Sequence, residues 1–247
     1  MKNNGWDPIL SLNQYFPEDK VSSDEIEILK FISDFLKMGD KHFSRILDFG
    51  TGPVIHRLFP FTKYTDKIYI AEYLPESLRE IKKWKENRHG SRNWNFYVKK
   101  VLEIEKTKSD TSAIEKRKSL LRKKMFRLIK GDIFKTRPLV KPMQFPLVIS
   151  FYCLDSITRS KKIWYKLMSH LSSLVCKDGW LIISALRNTN YSILGDTKMP
   201  NVKLNEKDIR LALEGLGYKT IDIKVINAKI WSGFGILSVM IAKARKS

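Results

Sequence analysis

Arg45-Ile-Leu-Asp48-Phe-Gly50-Thr51-Gly52-Pro53 is the stretch on which the fold turns. A short apolar run ends in Asp48-Phe49 and passes into a bend at Gly50-Thr51-Gly52, where two glycines allow a tight turn and a close backbone approach without a Cβ in the way. Pro53 is placed as the first residue of a helix, where its missing N–H costs nothing. Strand, glycine turn and helix open a doubly wound sheet, whose ligand lies beyond the carboxyl end of the strand. The free N–H groups of the expected helix would face a carboxylate or phosphate. A Gly-x-Gly after a strand is by itself unspecific.

Working outward, the chain alternates strands and helices. Upstream, Ser22-Ser-Asp-Glu25 reads as a capping box with Ser22 as N-cap, and Ile28, Phe31, Ile32, Phe35 and Leu36 form one helical stripe. Downstream, Lys67–Ala71 is a strand and Pro75 opens a helix carrying Leu78, Ile81 and Trp84. Strands follow at Phe126–Ile129 and Pro146–Phe151, then a helix with Trp164, Leu167, Met168, Leu171 and Leu174. Next come a strand at Trp180–Ala185 and a helix capped by Asn205 with Ile209, Leu213 and Leu216. Thr220–Ile226 and Phe234–Ala242 leave no room for a helix between them and are expected to pair antiparallel. The pattern predicts a Rossmann-like α/β fold: a mostly parallel seven-stranded sheet, helices on both faces and a C-terminal antiparallel hairpin. Residues 1–247 read as a single domain with an N-terminal lid over about 1–40 and a basic helical insertion over about 86–124.

Lys and Arg number 46 against 26 Asp and Glu, a net charge of +20 that invites a nucleic-acid partner. The excess is local: residues 98–130 hold 12 basic against 4 acidic side chains, including Glu115-Lys-Arg-Lys and Arg122-Lys-Lys. Alternation with Leu120, Leu121, Met125 and Phe126 fits the solvated face of a packed helix. Arg-rich forks with interleaved aromatics are sparse, so nucleic acid is not the expected partner. No run approaches the ~20 apolar residues of a membrane span, and Met1 to Trp6 lack an apolar leader. Cys153 and Cys176 sit in apolar surroundings without a CxxC or Cys/His cluster, so two buried free thiols, no metal and a cytoplasmic monomer are expected.

Two further carboxylates sharpen the Gly50–Gly52 site. Glu72 ends the second strand, 24 residues after Asp48, where two acceptor oxygens can take both hydroxyls of a ribose. Asp132 ends the next strand, placed for an adenine amino group, with Ile133 able to pack on the ring. Each alone could be an ordinary strand-end residue; three at successive strand ends argue for a site. A pyrophosphate fingerprint requires glycine where Ile55 stands. The pattern therefore favours S-adenosylmethionine, with S-adenosylhomocysteine as product, over a dinucleotide.

These residues resemble the nicotinamide, phenylethanolamine and thioether methyltransferase family and its bacterial small-molecule N-methyltransferase relatives. The likeness runs through Trp6-Asp-Pro, Leu12-Asn-Gln-Tyr15-Phe16, Leu47–Pro53, Glu72-Tyr73 with a helix ending at Trp84, Phe151-Tyr152-Cys-Leu-Asp155-Ser156 and Asp178-Gly-Trp-Leu-Ile182. It implies Tyr15 and Phe16 as a lid over the cofactor and Gly50, Thr51 and Gly52 along its methionine end, with Asp48, Tyr73 and Tyr152 in the cofactor set. It further implies Glu72 on the ribose, Asp132 and Ile133 at the adenine, Asp155 beside the transferred methyl and Tyr191 over the acceptor. An acceptor-pocket carboxylate of the nicotinamide enzyme falls on Ser184 here, and an acidic contact of the phenylethanolamine enzyme falls near Arg187, which points away from nicotinamide and catecholamines as acceptors. Arg187 is then expected to pair with an acidic group on the acceptor.

Methyl transfer from a sulfonium is an in-line displacement that needs no metal and rests on proximity. Asp155 would orient a neutral amine or pass on its proton. Tyr15, Phe16, Tyr191 and Trp231 could close the site and tolerate a cation, although for any one of them core packing is an equal reading. The expected activity is methyl transfer to a small molecule at an amine nitrogen. The alternatives are an RNA or protein methyltransferase using the basic surface, or a non-catalytic methyltransferase-like module. Enzymes that methylate exocyclic base nitrogens typically carry an Asn/Asp-Pro-Pro-aromatic loop where this chain has Phe151–Ser156, without prolines.

Overall fold

The computed structural model describes residues 6–247; Met1–Gly5, part of the stretch read as lacking a leader, lie outside the described residues. Helix α1 (Pro8–Tyr15) starts where Asp7 accepts from the N–H groups of Ile9 and Leu10 and Pro8 takes the first helical position. It is followed by α2 (Ser23–Lys37), β1 (Ile46–Phe49), β2 (Ile68–Glu72), α3 (Pro75–Lys85), α4 (Asn95–Ile104), α5 (Thr111–Lys124) and β3 (Met125–Lys130). The remainder is β4 (Phe145–Phe151), α6 (Lys161–Ser172), β5 (Val175–Leu186), β6 (Tyr191–Leu194), β7 (Thr197–Pro200), α7 (Glu206–Gly215), β8 (Tyr218–Asn227) and β9 (Ser238–Lys246).

Seven strands form one sheet in the order β3-β2-β1-β4-β5-β9-β8. The first five are parallel to their neighbours, and β9 runs antiparallel to both β5 and β8. The predicted Rossmann-like sheet with its antiparallel ending is thus the architecture found. The chain moves outward in one direction from β1 through β2 to β3 and returns on the other side at β4. The crevice at such a reversal, above the carboxyl ends of β1 and β4, is where doubly wound sheets bind ligands.

The inner strands are buried on both faces, which is why they read as continuous apolar runs. Ile46, Ile68, Ile70, Leu147 and Ile149 face the core under α2–α5 with Ile28, Phe35, Ile81, Tyr97 and Leu121. Leu47, Phe49, Tyr69, Ala71 and Val148 face the core under α6 and α7 with Trp164, Leu167, Ile209 and Leu213. The basic stretch over about 86–124 holds the two helices α4 and α5. Its basic face is solvated, but Arg117 turns inward and forks onto Glu105 at 2.7 and 2.6 Å. Met125 and Phe126 belong to β3 instead of a helix face.

Local expectations fail where long-range partners intervene. No α-helix follows Pro53; two 3-10 turns, His56–Leu58 and Pro60–Lys63, stand in its place. Pro60 has no N–H for the His56 carbonyl, and its ring would clash with that carbonyl in a continuous helix. Ser22 holds the N-cap position of α2 but makes no capping bond. Glu25, its supposed reciprocal partner, is instead bound to Arg57. At α7 the expected cap Asn205 forms, and Asp208 completes a capping box with it. The hairpin β6–β7 was not anticipated, although Gly195-Asp196 between two short runs is a two-residue turn signal. Both cysteines are free, and they are half-buried where full burial was expected.

Candidate active site

Gly50 and Gly52 adopt left-handed backbone angles, φ +70° and +60°. A Cβ on Gly50 would sit 2.1 Å from the Cys153 Sγ, whereas one on Gly52 would enter open space. The first glycine therefore lets β1 pass against the end of β4, and the second leaves a bare backbone facing the crevice. Three strand ends are tied together here: Gly50 N donates to Ala71 O at 2.7 Å, Gly52 N to Glu72 Oε2 at 2.8 Å, and Gly131 N to Glu72 O at 3.0 Å. The Glu72 carboxylate also accepts from Tyr73 N and Leu74 N at 2.8 and 2.9 Å. Burial raises its pKa, and these three N–H groups pull the other way.

Asp48 lies at the base of the loop. Burial pushes its carboxyl up to about 7, against a hydrogen bond from Thr51 and the charge of Arg57. Its Oδ1 has no partner among the described residues. Asp132 accepts from Phe134 N at 3.0 Å, Lys130 Nζ stands 5.8 Å from the Tyr73 ring, and Ile133 is buried in the α6 core with its carbonyl 2.8 Å from His170 Nδ1. Thr51 Oγ1 donates to Val54 O at 2.6 Å and fixes the loop.

A ring of carboxylates around exposed glycine backbone, followed by 3-10 turns, is poorly matched to a pyrophosphate, which wants a helix N-terminus and no nearby acids. It suits a phosphate-free ligand that carries a diol and a cation. The residues present therefore fit S-adenosylmethionine: Glu72 for the ribose, Asp132 for the adenine side, and Gly50 to Gly52 with Asp48 for the amino-acid end.

Beside the switch point lies a cavity of about 120 Å³, close to the size that accepts one aromatic ring. Tyr15, Phe16, Tyr152 and Trp231 form its aromatic walls, and Leu186, Ile236 and Val239 its aliphatic ones. Its polar lining includes Asp24, Glu25, Arg57, Asp155 and Asn201. The Tyr15 ring meets Trp231 edge-on, 5.5 Å between centroids, and its hydroxyl donates to Ile193 O, so α1 is fastened to β6. Tyr152 has φ +52° without being glycine, an outlier at the end of β4 of the kind that collects at functional sites. Its hydroxyl is unpartnered among the described residues, and burial holds its pKa well above normal.

The charges in this cavity are unevenly matched. Arg57 meets Glu25 with two bonds of 2.7 Å, and His56 Nε2 lies 2.8 Å from the same carboxylate. Burial alone would raise Glu25, but Arg57 and then His56 bring it down to about 2. Arg57 also lies over the rings of Phe16, Phe151 and Tyr152 at 5.0–5.3 Å. Asp24 accepts from the Trp231 indole N–H at 3.1 Å. Asp155 Oδ2 accepts from Leu186 N at 2.8 Å while Oδ1 is buried without a partner among the described residues; burial pushes this carboxyl up to about 6.

Most of the residues singled out in the sequence fall in two adjacent groups. Asp48, Gly50, Thr51, Gly52, Glu72, Tyr73 and Asp132 surround the strand ends, and Tyr15, Phe16, Tyr152 and Asp155 line the cavity. Three of the expected residues are not among those lining the cavity. Arg187 is forked onto Glu206 at 3.0 Å; the guanidinium at the cavity is that of Arg57. Tyr191 packs against Gly235 under Lys198, 3.9 Å from its ring centroid. Strand alternation gives the cavity Ser192 instead, and the aromatic on the wall is Trp231. Ser184 is buried and its hydroxyl accepts from Tyr152 N at 3.2 Å, so it serves the backbone. Asp24, Glu25, Arg57 and Asn201 were not anticipated; each is polar, buried and recognisable only through partners far away in the chain.

Among the described residues there is no group of His, Cys, Asp or Glu able to hold a metal, and no helix is long and apolar enough to cross a membrane. A family model described as the NNMT/PNMT/TEMT family matches residues 3–247. Human phenylethanolamine N-methyltransferase is 21% identical over 200 residues, covering 79% of this chain and 70% of that protein. Human nicotinamide N-methyltransferase is 25% identical over 184 residues, covering 74% and 69%. The structure of the N-methyltransferase NodS from Bradyrhizobium japonicum with S-adenosyl-L-homocysteine superposes with a TM-score of 0.58 at 10% identity, covering 98% of this chain and 99% of that one, a likeness of fold.

Proposed function

The chain belongs to the NNMT/PNMT/TEMT family of S-adenosylmethionine-dependent methyltransferases, and from that premise we propose that it methylates the nitrogen of a small amine held in the cavity between Asp155 and Trp231. The observation that carries this reading is the junction of two sites: an acidic strand-end crevice without phosphate-binding features, and an aromatic cavity with an unpartnered carboxylate oxygen. When bound, S-adenosylmethionine supplies a methyl group on a sulfonium. Glu72 and Asp132 position the nucleoside end, and the bare Gly50–Gly52 backbone receives the amino-acid end. Asp155 holds the acceptor nitrogen and takes up its proton, a role suited to a carboxyl at about 6. Tyr15, Phe16, Tyr152 and Trp231 exclude water and accept positive charge against their faces.

A cavity of about 120 Å³ is small for a polynucleotide or protein side-chain tunnel, which favours a small-molecule acceptor. The two free thiols suit a reducing compartment such as the cytoplasm. Incubation with S-adenosylmethionine and a library of small amines, with S-adenosylhomocysteine and methylated amine read by mass spectrometry, tests the reading. Amine-dependent formation of both is expected; formation of neither, by folded protein, would refute it.

A further inference from the structure

Asn201 and Asp155 share a wall of the cavity. Val202 N donates to Asp155 O at 2.9 Å, so the segment leaving β7 is fastened to the loop after β4. Asn201 is 2% exposed; its backbone N donates to Asn190 O at 2.9 Å and its Nδ2 donates to Ser192 Oγ at 3.1 Å, leaving Oδ1 without a partner among the described residues. Asp155 is 1% exposed, with Oδ2 on Leu186 N and Oδ1 equally unpartnered. Two buried acceptors lacking donors in one cavity are expensive to leave so, and such exceptions call for a ligand that satisfies them. The adjacent cation cannot serve, because Arg57 is committed to Glu25.

We propose, building on the methyltransferase reading, that Asp155 Oδ1 and Asn201 Oδ1 form a two-acceptor clamp for the nitrogen of a primary amine, with Asn201 determining specificity and limiting the reaction to one methyl group. A neutral primary amine carries two hydrogens and one lone pair in roughly tetrahedral directions. Holding both hydrogens on fixed acceptors aims the lone pair in a single direction, which is what an in-line displacement requires. In the neutral form, which alone can attack, a secondary amine satisfies one acceptor and a tertiary amine neither; an alcohol or thiol has one hydrogen at most. In the transfer the N–C bond forms as the S–C bond breaks, the bonding pair stays on sulfur to leave a neutral thioether, and nitrogen becomes a methylammonium. One of its two protons passes to Asp155 Oδ1. The N-methyl amine that remains has one hydrogen for two acceptors, so it leaves and is not clamped again.

The test uses the full chain with phenethylamine, N-methylphenethylamine and N,N-dimethylphenethylamine, together with linear primary alkylamines and their N-methyl counterparts. Methyl transfer is followed by mass spectrometry, and S-adenosylhomocysteine binding by calorimetry. Primary amines should react about ten- to hundredfold faster than their N-methyl counterparts, and products should stop at one methyl. Asn201→Leu should erase that preference in rate while leaving the affinity for S-adenosylhomocysteine unchanged. Asn201→Asp, which keeps an acceptor oxygen at nearly the same volume, should retain the preference and guards against a Leu variant that fails to fold. Equal use of primary and secondary amines, a preference unchanged in Asn201→Leu, or S-adenosylhomocysteine binding without transfer to any primary amine would overturn the clamp. Absence of S-adenosylhomocysteine binding in the wild type would instead overturn the methyltransferase reading beneath it.

Discussion

Glu72 and Asp155 are both buried carboxylates at the ends of sheet strands or the loops that follow, yet their surroundings are opposite. Glu72 accepts three backbone N–H groups from within its own strand end and the neighbouring glycine loop. Asp155 accepts one, and keeps an oxygen in reserve. The strand-end crevice is mainly a backbone construction, in which Glu72 is saturated by N–H groups and Asp48 alone keeps an unpartnered oxygen among the described residues. The cavity is a side-chain construction gathered from residues 6 to 239, with several polar atoms that only a ligand can satisfy. A common cofactor site and a chain-specific acceptor site call for these two styles of building.

The contrast can be broken most forcefully at Arg57. Removing it takes away the cation that neutralises the buried Glu25 and leaves only the His56 ring beside it, so Arg57→Met should destabilise the fold by about 3–5 kcal/mol in urea denaturation. A loss below about 1 kcal/mol would show that the cavity charges are not coupled as described. The crevice offers an internal comparison. Gly50→Ala combines left-handed strain with a collision against Cys153 and should cost about 2–4 kcal/mol, while Gly52→Ala suffers only the strain and should cost about 1 kcal/mol. Equal costs would mean that β1 and β4 do not approach as closely as 2.1 Å from that Cβ position implies.

The buried carboxylates also respond to pH with opposite sign, Asp48 and Asp155 one way and Glu25 the other. Asp48 has its pKa raised to about 7, above an unfolded value of about 3.9, so its contribution is full below pH ~4 and is lost as pH rises through about 7. Asp155 behaves alike up to about 6. Glu25, lowered to about 2, contributes above its unfolded value of about 4.3 and loses that contribution as pH falls toward 2. Melting temperatures of the ligand-free protein from pH 4.5 to pH 7.5 should therefore carry a downward component that Asp48→Asn flattens. An unchanged slope in that variant would contradict the burial described for Asp48.

Legibility in the sequence followed the same division. Strands buried on both faces announce themselves as apolar runs, and Gly50, Gly52, Glu72 and Asp132 fall at their ends, so the crevice could be read from local pattern. Asn205 also told the truth, because its capping partner Asp208 is three residues away. Ser22–Glu25 carried the same local signal and misled, since Glu25 finds Arg57 at a separation of 32 residues. Pro60 ended a helix that Pro53 promised. Asp24, Arg57 and Asn201 have no periodicity to betray them, and which of Tyr191 and Ser192 faces the cavity could not be counted without the unforeseen strand β6.

Calorimetric titration of S-adenosylmethionine into the wild type, Asp155→Asn and Gly52→Val tests the separation of the two sites most directly. The account predicts one-to-one binding of equal affinity in the wild type and Asp155→Asn, and none in Gly52→Val, whose side chain fills the space before the loop. Binding that survives in Gly52→Val, or vanishes in Asp155→Asn, would contradict it.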